Sequence, residues 1–184
     1  VGVRMALLGR SALLELFRIH PFVRPTVIDT IIDRLIGRGP AAPNWVGALN
    51  ELVAVQPLAV LEHTQRIKQL LEYVLALPPQ TATAMLASLL PLHRHRPELR
   101  DHVVLLLRKA MFSREEPTRL TAVHGFLLLL HTTSAPSGAD AAATATSDPT
   151  GGASAALRFQ LELLGFIRRS LTQQAAIRRA LYEG

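Results

Sequence analysis

Apolar residues recur every three or four positions along almost the whole chain, and no stretch alternates with a period of two. Over 26–38, Val27, Ile28, Ile31, Ile32, Leu35 and Ile36 form one wide helical stripe, with Asp29, Asp33 and Arg34 opposite. The same reading predicts a helix over 3–19 with Leu7, Leu8, Ala12, Leu14 and Phe17 inward. Another covers 45–55, capped by Asn44, with Ala48, Leu49, Leu52 and Val53 inward. A short helix follows over 57–61, then helices over 65–77, 80–93, 98–113 and 115–131. Helical spacing resumes over 154–171, with Leu157, Leu161, Leu164, Ile167 and Leu171 as its inward stripe, and over 173–183, with Ile177 and Leu181. Proline recurs at the joints (Pro21, Pro25, Pro57, Pro78, Pro79, Pro97 and Pro117), where it ends one helix or starts the next.

Links this short make consecutive helices antiparallel neighbours. The predicted class is all-α, an irregular α-solenoid of antiparallel helix pairs of the HEAT/ARM kind, with no sharp repeat consensus. A compact all-α bundle is the alternative that periodicity leaves open. Residues 132–153 break the pattern: they are Thr, Ser, Ala, Gly, Pro and Asp with no large apolar residue. Such a segment buries too little surface to offset its ordering entropy, so a flexible loop is expected there, between a solenoid segment at 1–131 and a further helical region at 154–184.

Composition narrows the picture. Of 184 residues, 49% are hydrophobic, which is too apolar for a disordered chain, yet no apolar run is long enough for a transmembrane helix, so no membrane partner is expected. There is no cysteine, which excludes disulfides, thiol catalysis and Cys-ligated zinc. The net charge is +6, carried by 18 Arg and two Lys, Lys68 and Lys109. That balance suits an acidic partner such as nucleic acid, and an arginine-rich solvated surface gives the same number. A first residue other than Met, no signal peptide and a last residue inside a helical pattern lead us to expect a segment of a longer protein.

No phosphate-binding loop, nucleophile elbow or His-Glu-x-x-His motif is present, and no catalytic residue, cofactor or metal ligand is assigned. Glu115 and Glu116 read as helix-start carboxylates. His93, His95 and His102 are the histidines that could be imagined as zinc ligands, but His93 and His95 point to different faces of a helix and no carboxylate–His spacing supports a site. His124 and His131 share a face of an apolar helix, as edge or partner-facing residues. Two basic clusters remain. One holds Arg94, Arg96, Arg100, Arg108, Lys109, Arg114 and Arg119, partly offset by Glu98, Asp101, Glu115 and Glu116; the other holds Arg168, Arg169, Arg178 and Arg179. They carry the charge that phosphate contact needs, without the interleaved aromatics that stack single-stranded bases. Thr64-Gln65 and Thr172-Gln173 are minimal sites for DNA-damage kinases, and Thr172 also suits the cap of the last helix.

The stretch Leu107–Phe112, Leu-Arg-Lys-Ala-Met-Phe, followed by Ala122–Leu130, Ala-Val-His-Gly-Phe-Leu-Leu-Leu-Leu, resembles the Fanconi anaemia group I protein family. So do Arg168-Arg169-Ser170-Leu171-Thr172-Gln173-Gln174-Ala175, the terminal Leu181-Tyr182-Glu183-Gly184 and, more weakly, the helix over 7–20. The matches are collinear over essentially the whole chain. The resemblance implies a long irregular α-solenoid, of which 1–131 would be the second solenoid region and 154–184 the start of the next helical domain. It implies a nuclear, non-enzymatic scaffold that pairs with a paralogous solenoid protein and clamps DNA, duplex or branched, in interstrand crosslink repair. Control in the family is by the ubiquitin-conjugation machinery and by Ser/Thr-Gln phosphorylation.

This sequence departs from the family in two places. The ubiquitin-acceptor lysine of the family falls at Leu120, after Arg119, so no amine is present there to conjugate. The family's Ser-Gln cluster would fall in 132–153, which contains no Gln, whereas Thr172 matches a family Ser-Gln position and is the phosphorylation candidate. By the resemblance, Arg114, Arg119 and Leu120 are the partner-facing candidates. Arg94, Arg96, Arg100, Arg168, Arg169, Arg178 and Arg179 are the DNA-facing candidates. The alternative is an unrelated HEAT-like scaffold that binds only proteins; a helical hydrolase would need a preformed pocket of titratable groups.

Overall fold

Proline starts most of the helices. In the computed structural model, which describes residues 2–37, 41–134, 149–172 and 174–183, ten α-helices are found among the described residues. They are α1 (Gly2–Ile19), α2 (Arg24–Ile36), α3 (Ala42–Val55), α4 (Pro57–Leu61), α5 (Thr64–Val74), α6 (Pro79–Leu89), α7 (Pro97–Met111), α8 (Glu116–Ser134), α9 (Pro149–Ser170) and α10 (Ala175–Glu183). Pro57, Pro79, Pro97 and Pro149 are first residues of helices, and Pro25, Pro43 and Pro117 are second residues. At these positions the missing N–H would have had no intrahelical acceptor, and the fixed φ suits the first turn. Two 3₁₀ turns, Pro21–Val23 and Leu90–Arg94, carry the chain around corners.

Three local expectations change. Asn44 lies inside the first turn of α3, which Ala41 precedes as the capping residue. Thr172 does not cap α10: its hydroxyl donates to the Arg169 carbonyl at 2.8 Å and so satisfies the C-terminal end of α9. Of the loop expected over 132–153, residues 132–134 belong to α8 and 149–153 to α9, where the packed parts of the two helices have already nucleated them and Pro149 suits a first turn. The remainder, 135–148, lies outside the described residues.

The chain divides into two compact units, Val1–Leu106 and Leu107–Gly184, with the division inside α7. In the first unit, α1 packs on α2 and α3, α3 on α6, and α2 on α5. Links as short as those between α1 and α2 and between α5 and α6 make such helices antiparallel neighbours. Thus α1, α3 and α6 form one layer and α2 and α5 the other, the helix-pair stacking of an α-solenoid. The core lies between the layers: Ile28, Ile31, Ile32, Leu35, Leu49, Ile67, Leu70, Leu71 and Met85 are fully buried.

Each layer has its own ionic stitch from one helix pair to the next. Arg10 of α1 meets Glu51 of α3 at 2.6 Å. Arg66 of α5 bridges Asp29 and Asp33 of α2 at 2.6 and 3.0 Å, and also donates to Gln69 at 2.8 Å. These side chains are all partly exposed, from 29% at Arg10 to 68% at Asp33, so the stitches fix register more than they add stability. Arg24 closes the first corner: its Nε donates to the Phe17 carbonyl at 3.0 Å and its guanidinium lies 5.5 Å from the buried Phe17 ring.

The inward stripe expected on α1 is only partly inward. Phe17 is buried and Leu14 half-buried, while Leu7, Leu8 and Ala12 are exposed. Met5, Leu16 and Ile19 are exposed as well, since α1 has neighbours on one side only.

At the far end of this unit, α5, α6, the Leu90–Arg94 turn and the start of α7 surround His93. Its Nδ1 is hydrogen bonded to the Leu90 carbonyl. Burial, with Arg94 and Arg100 nearby, holds its pKa below the usual histidine value of 6.5. The folded state therefore takes up a proton here less readily than the unfolded chain. This contribution is fully present above pH 6.5 and is lost as pH falls from there toward the folded pKa, levelling off below it. In urea titrations between pH 7.5 and 5, His93→Leu is expected to flatten the acid-side decline in stability relative to the unaltered chain.

Candidate basic surface at two helix corners

The second unit builds its surface from two corners, one between α7 and α8 and one between α9 and α10. Three side-chain contacts set them. The rings of Phe126 (α8) and Phe166 (α9) stack with centroids 5.2 Å apart and planes 17° from parallel. The Arg108 guanidinium of α7 lies over the Phe166 ring, 5.1 Å from its centroid. The buried Ser170 hydroxyl, at the last residue of α9, reaches Met111 Sδ at 3.6 Å and the Phe166 carbonyl at 3.3 Å. α9 therefore lies along α7 with its end beside the end of α7.

α8 and α10 lie alongside in the same sense. Val123, Ile177 and Ala180 form a buried apolar cluster, with Leu120, Leu127 and Leu181 packed against it. Gly125 sits where α8 meets Leu107: a Cβ at that position would lie 2.6–2.8 Å from the Leu107 methyl groups.

Arg119 joins the two corners. Its Nη1 donates to the carbonyls of Ser113 and Arg114, at 2.8 and 2.9 Å, and so supplies donors where the chain leaves α7. Its Nη2 donates to Gln174 Oε1 at 2.8 Å, just before α10. The loop is tightened further by the Ser113 hydroxyl, which accepts from the Glu115 N–H at 3.2 Å, and by Thr118, which donates to Glu115 at 3.2 Å. Glu115 and Glu116 are at the N-terminal end of α8, where carboxylates complement the helix dipole.

Of the three partner-facing candidates, Arg114 is exposed, Arg119 is half-buried in these hydrogen bonds, and Leu120 is half-buried against the α8–α10 cluster. The aliphatic side chain at 120 is thus part of the packing between two helices. Phe112, beside Arg114, is 75% exposed.

The same end of the unit carries Arg168 and Arg169 in the last turn of α9 and Arg178 and Arg179 one turn into α10, all exposed. The Arg119–Gln174 bond thus gathers Arg114 and four arginines of the second cluster at one end. Arg94, Arg96 and Arg100 belong to the other unit, at its Leu90–Arg94 turn and the start of α7. Arg94 and Arg96 are exposed; Arg100 is half-buried, 3.4 Å from Asp101. Thr172 is exposed between α9 and α10.

Sequence reasoning missed Gln174 as a structural partner of Arg119. The doubled glutamine drew attention to its first member, and a contact across 55 residues leaves no local signal. It also missed that Arg108 lies on an aromatic pair. Among the described residues no group of three or more His, Asp or Glu is placed to hold a metal ion, and no helix is long and apolar enough to cross a membrane.

The family described as FANCI solenoid 2 matches residues 3–127. The chain is similar to the Fanconi anemia group I protein of Gallus gallus, 34% identical over 189 residues, and to the Fanconi anemia group I protein homolog of Mus musculus, 32% identical over 188 residues. In each case the match covers 96% of this chain and 14% of the relative, so the chain spans about one-seventh of their length. A helix-pair stack, a collinear match over nearly its whole length and a solenoid match over its first two thirds leave no room for an unrelated HEAT-like scaffold: the chain belongs to the Fanconi anaemia group I protein family.

Proposed function

We propose that this chain is a non-enzymatic scaffold segment of a Fanconi anaemia group I-like DNA repair protein, and that the arginine-rich end of its second unit faces DNA. The observation that carries this reading is the Arg119–Gln174 hydrogen bond, which ties the α7–α8 corner to the α9–α10 corner, where Arg168 and Arg169 end α9 and Arg178 and Arg179 lie one turn into α10, all exposed. A rigid backbone with several guanidinium groups at one end suits phosphate contact, where charge and spacing matter more than base reading. Arg94, Arg96 and Arg100 form a second basic site of the same chemistry in the first unit. The α7–α8 corner, with exposed Arg114 and Phe112, is the face toward a paralogous solenoid partner in a DNA-clamping heterodimer. The setting is interstrand crosslink repair in the nucleus.

Two regulatory expectations follow the same reading. With Leu120 packed at the family's acceptor position, either this protein does without the modification at that site or a lysine outside residues 1–184 serves. Thr172, exposed between two helices, is the phosphorylation candidate; a phosphate there would lie close in sequence to Arg168 and Arg169 and would lower the positive charge of this end.

The test is charge reversal in the parent protein, with Arg168, Arg169, Arg178 and Arg179 all changed to Glu. Duplex DNA affinity is measured by fluorescence anisotropy at several salt concentrations. Affinity is expected to fall, and the slope of log K against log salt to shrink by about 0.9 for each of these arginines that contacts phosphate. An unchanged affinity and slope would refute the assignment.

A further inference from the structure

Tyr182 stands apart from the arginines in the sequence, and the helix brings it among them. In α10, Ile177 and Ala180 are buried and Leu181 packs in the same cluster, so the opposite face of the helix looks outward. That face carries Arg178, Arg179 and Tyr182, all exposed. At 3.6 residues per turn the three fall within an arc of about 100°, and Tyr182 projects between the directions of the two arginines, one turn further along. It is 80% exposed, so its ring is not part of the packing of its own unit. Ala175, two turns earlier and in line with Tyr182, is exposed as well and adds no bulk to the face. Arg168 and Arg169 lie in the last turn of the preceding helix, α9.

Chemistry selects the ligand. Arginines alone meet phosphate on any nucleic acid. A bare aromatic ring among them adds affinity only for a ligand with a free flat face and negative charge beside it. In a duplex the faces of the bases are covered by their neighbours. An unpaired nucleotide offers both features, its base to the ring and its flanking phosphates to the arginines.

We propose that Tyr182 is a stacking platform for a base of single-stranded DNA, with Arg178 and the neighbouring arginines holding the phosphates of that strand. This rests on the DNA-facing reading of the second unit and names its substrate: a strand that has left the duplex. The contact tolerates any sequence, since every base has a π face.

The parent protein is tested by fluorescence anisotropy over a range of salt, with a labelled single strand of thymidines and with a duplex of the same length. Tyr182→Ala is expected to weaken single-strand binding by about fivefold or more, the low end for losing one stacked base. The salt slope should stay as it was, because no charge is removed. Tyr182→Phe keeps the ring and should bind within about twofold of the unaltered protein. Duplex affinity should change far less than single-strand affinity. A strand carrying iododeoxyuridine, which photocross-links to an aromatic ring stacked on it, should join to the peptide that contains Tyr182, as identified by mass spectrometry.

Unchanged single-strand affinity in Tyr182→Ala, or no cross-link at Tyr182, would overturn the proposal. Equal losses on single strand and duplex would do the same, since they would mark disorder of the helix rather than a lost stack. So would a Tyr182 ring that resists nitration by tetranitromethane in the parent protein without DNA, because it would then be covered. The two readings fail separately. If reversing the four arginines lowers duplex affinity while Tyr182→Ala changes nothing, the DNA face stands and the stacked base falls; if the reversal itself changes nothing, the DNA face falls and this site with it.

Discussion

Replacing Phe126 by alanine is expected to destabilise the second unit by about 3–5 kcal/mol, the range for removing a fully buried aromatic ring. The side chain is completely buried in the middle of α8, and its ring stacks on Phe166 of α9, which in turn lies under Arg108 of α7. Three helices therefore share one stack, and alanine leaves a cavity that none of them can fill alone. Phe126→Leu keeps most of the volume but loses the stacking, so it should cost less than half as much. Urea unfolding followed by far-ultraviolet circular dichroism separates the two. If Phe126→Ala shifted the stability by under about 1 kcal/mol, the stack would not be the centre of this unit. The corner that presents Arg114, Arg168 and Arg169 depends on the packing between these helices, so the same variant should also weaken DNA binding through loss of order, without changing a charge.

The sequence announced the helices and most of their starts, because proline at a first turn and apolar residues at 3.6 spacing are local signals. It announced the layers less directly, through links too short to do anything but reverse direction. What it could not announce was which apolar face of a helix finds a neighbour. α9 has two such faces: the regular leucine stripe through Leu157 and Leu164, and a sparser one through Leu163 and Phe166. The sparser face is the buried one, because it holds the aromatic ring that Phe126 stacks on and the Ser170 hydroxyl that meets Met111. α1 shows the same limit, with Phe17 buried and Leu8 exposed.

The candidate site was legible as a list of arginines but not as a place. Arg119 and Arg169 look alike in the sequence, yet one is bound to two backbone carbonyls and Gln174 while the other is exposed in the last turn of its helix. Leu120 reads as a missing lysine; in the fold it is a packing residue against the cluster of Val123, Ile177 and Ala180. In each case a deciding contact comes from a residue more than 50 positions away in the chain.

The second large effect is expected at Gly125. Its Cβ position is already occupied by the Leu107 methyl groups, and Leu107 is fully buried, so the leucine cannot swing into solvent. Alanine would gain about 1 kcal/mol in helix propensity and lose that or more to the clash, leaving a small net change. Valine adds two methyl groups where there is no room for the first carbon. Gly125→Val is therefore expected to cost about 3 kcal/mol or more, by pushing α8 away from the end of α7. Leu107→Ala alone should cost about 2–5 kcal/mol as a cavity. In the double variant the valine occupies the space the leucine vacates, so the combined cost should fall short of the sum by about 1–3 kcal/mol. Urea midpoints of the four proteins give that coupling directly. Additive costs would mean that the two side chains do not compete for one volume, and that the glycine in Ala-Val-His-Gly-Phe is not what lets α8 approach α7.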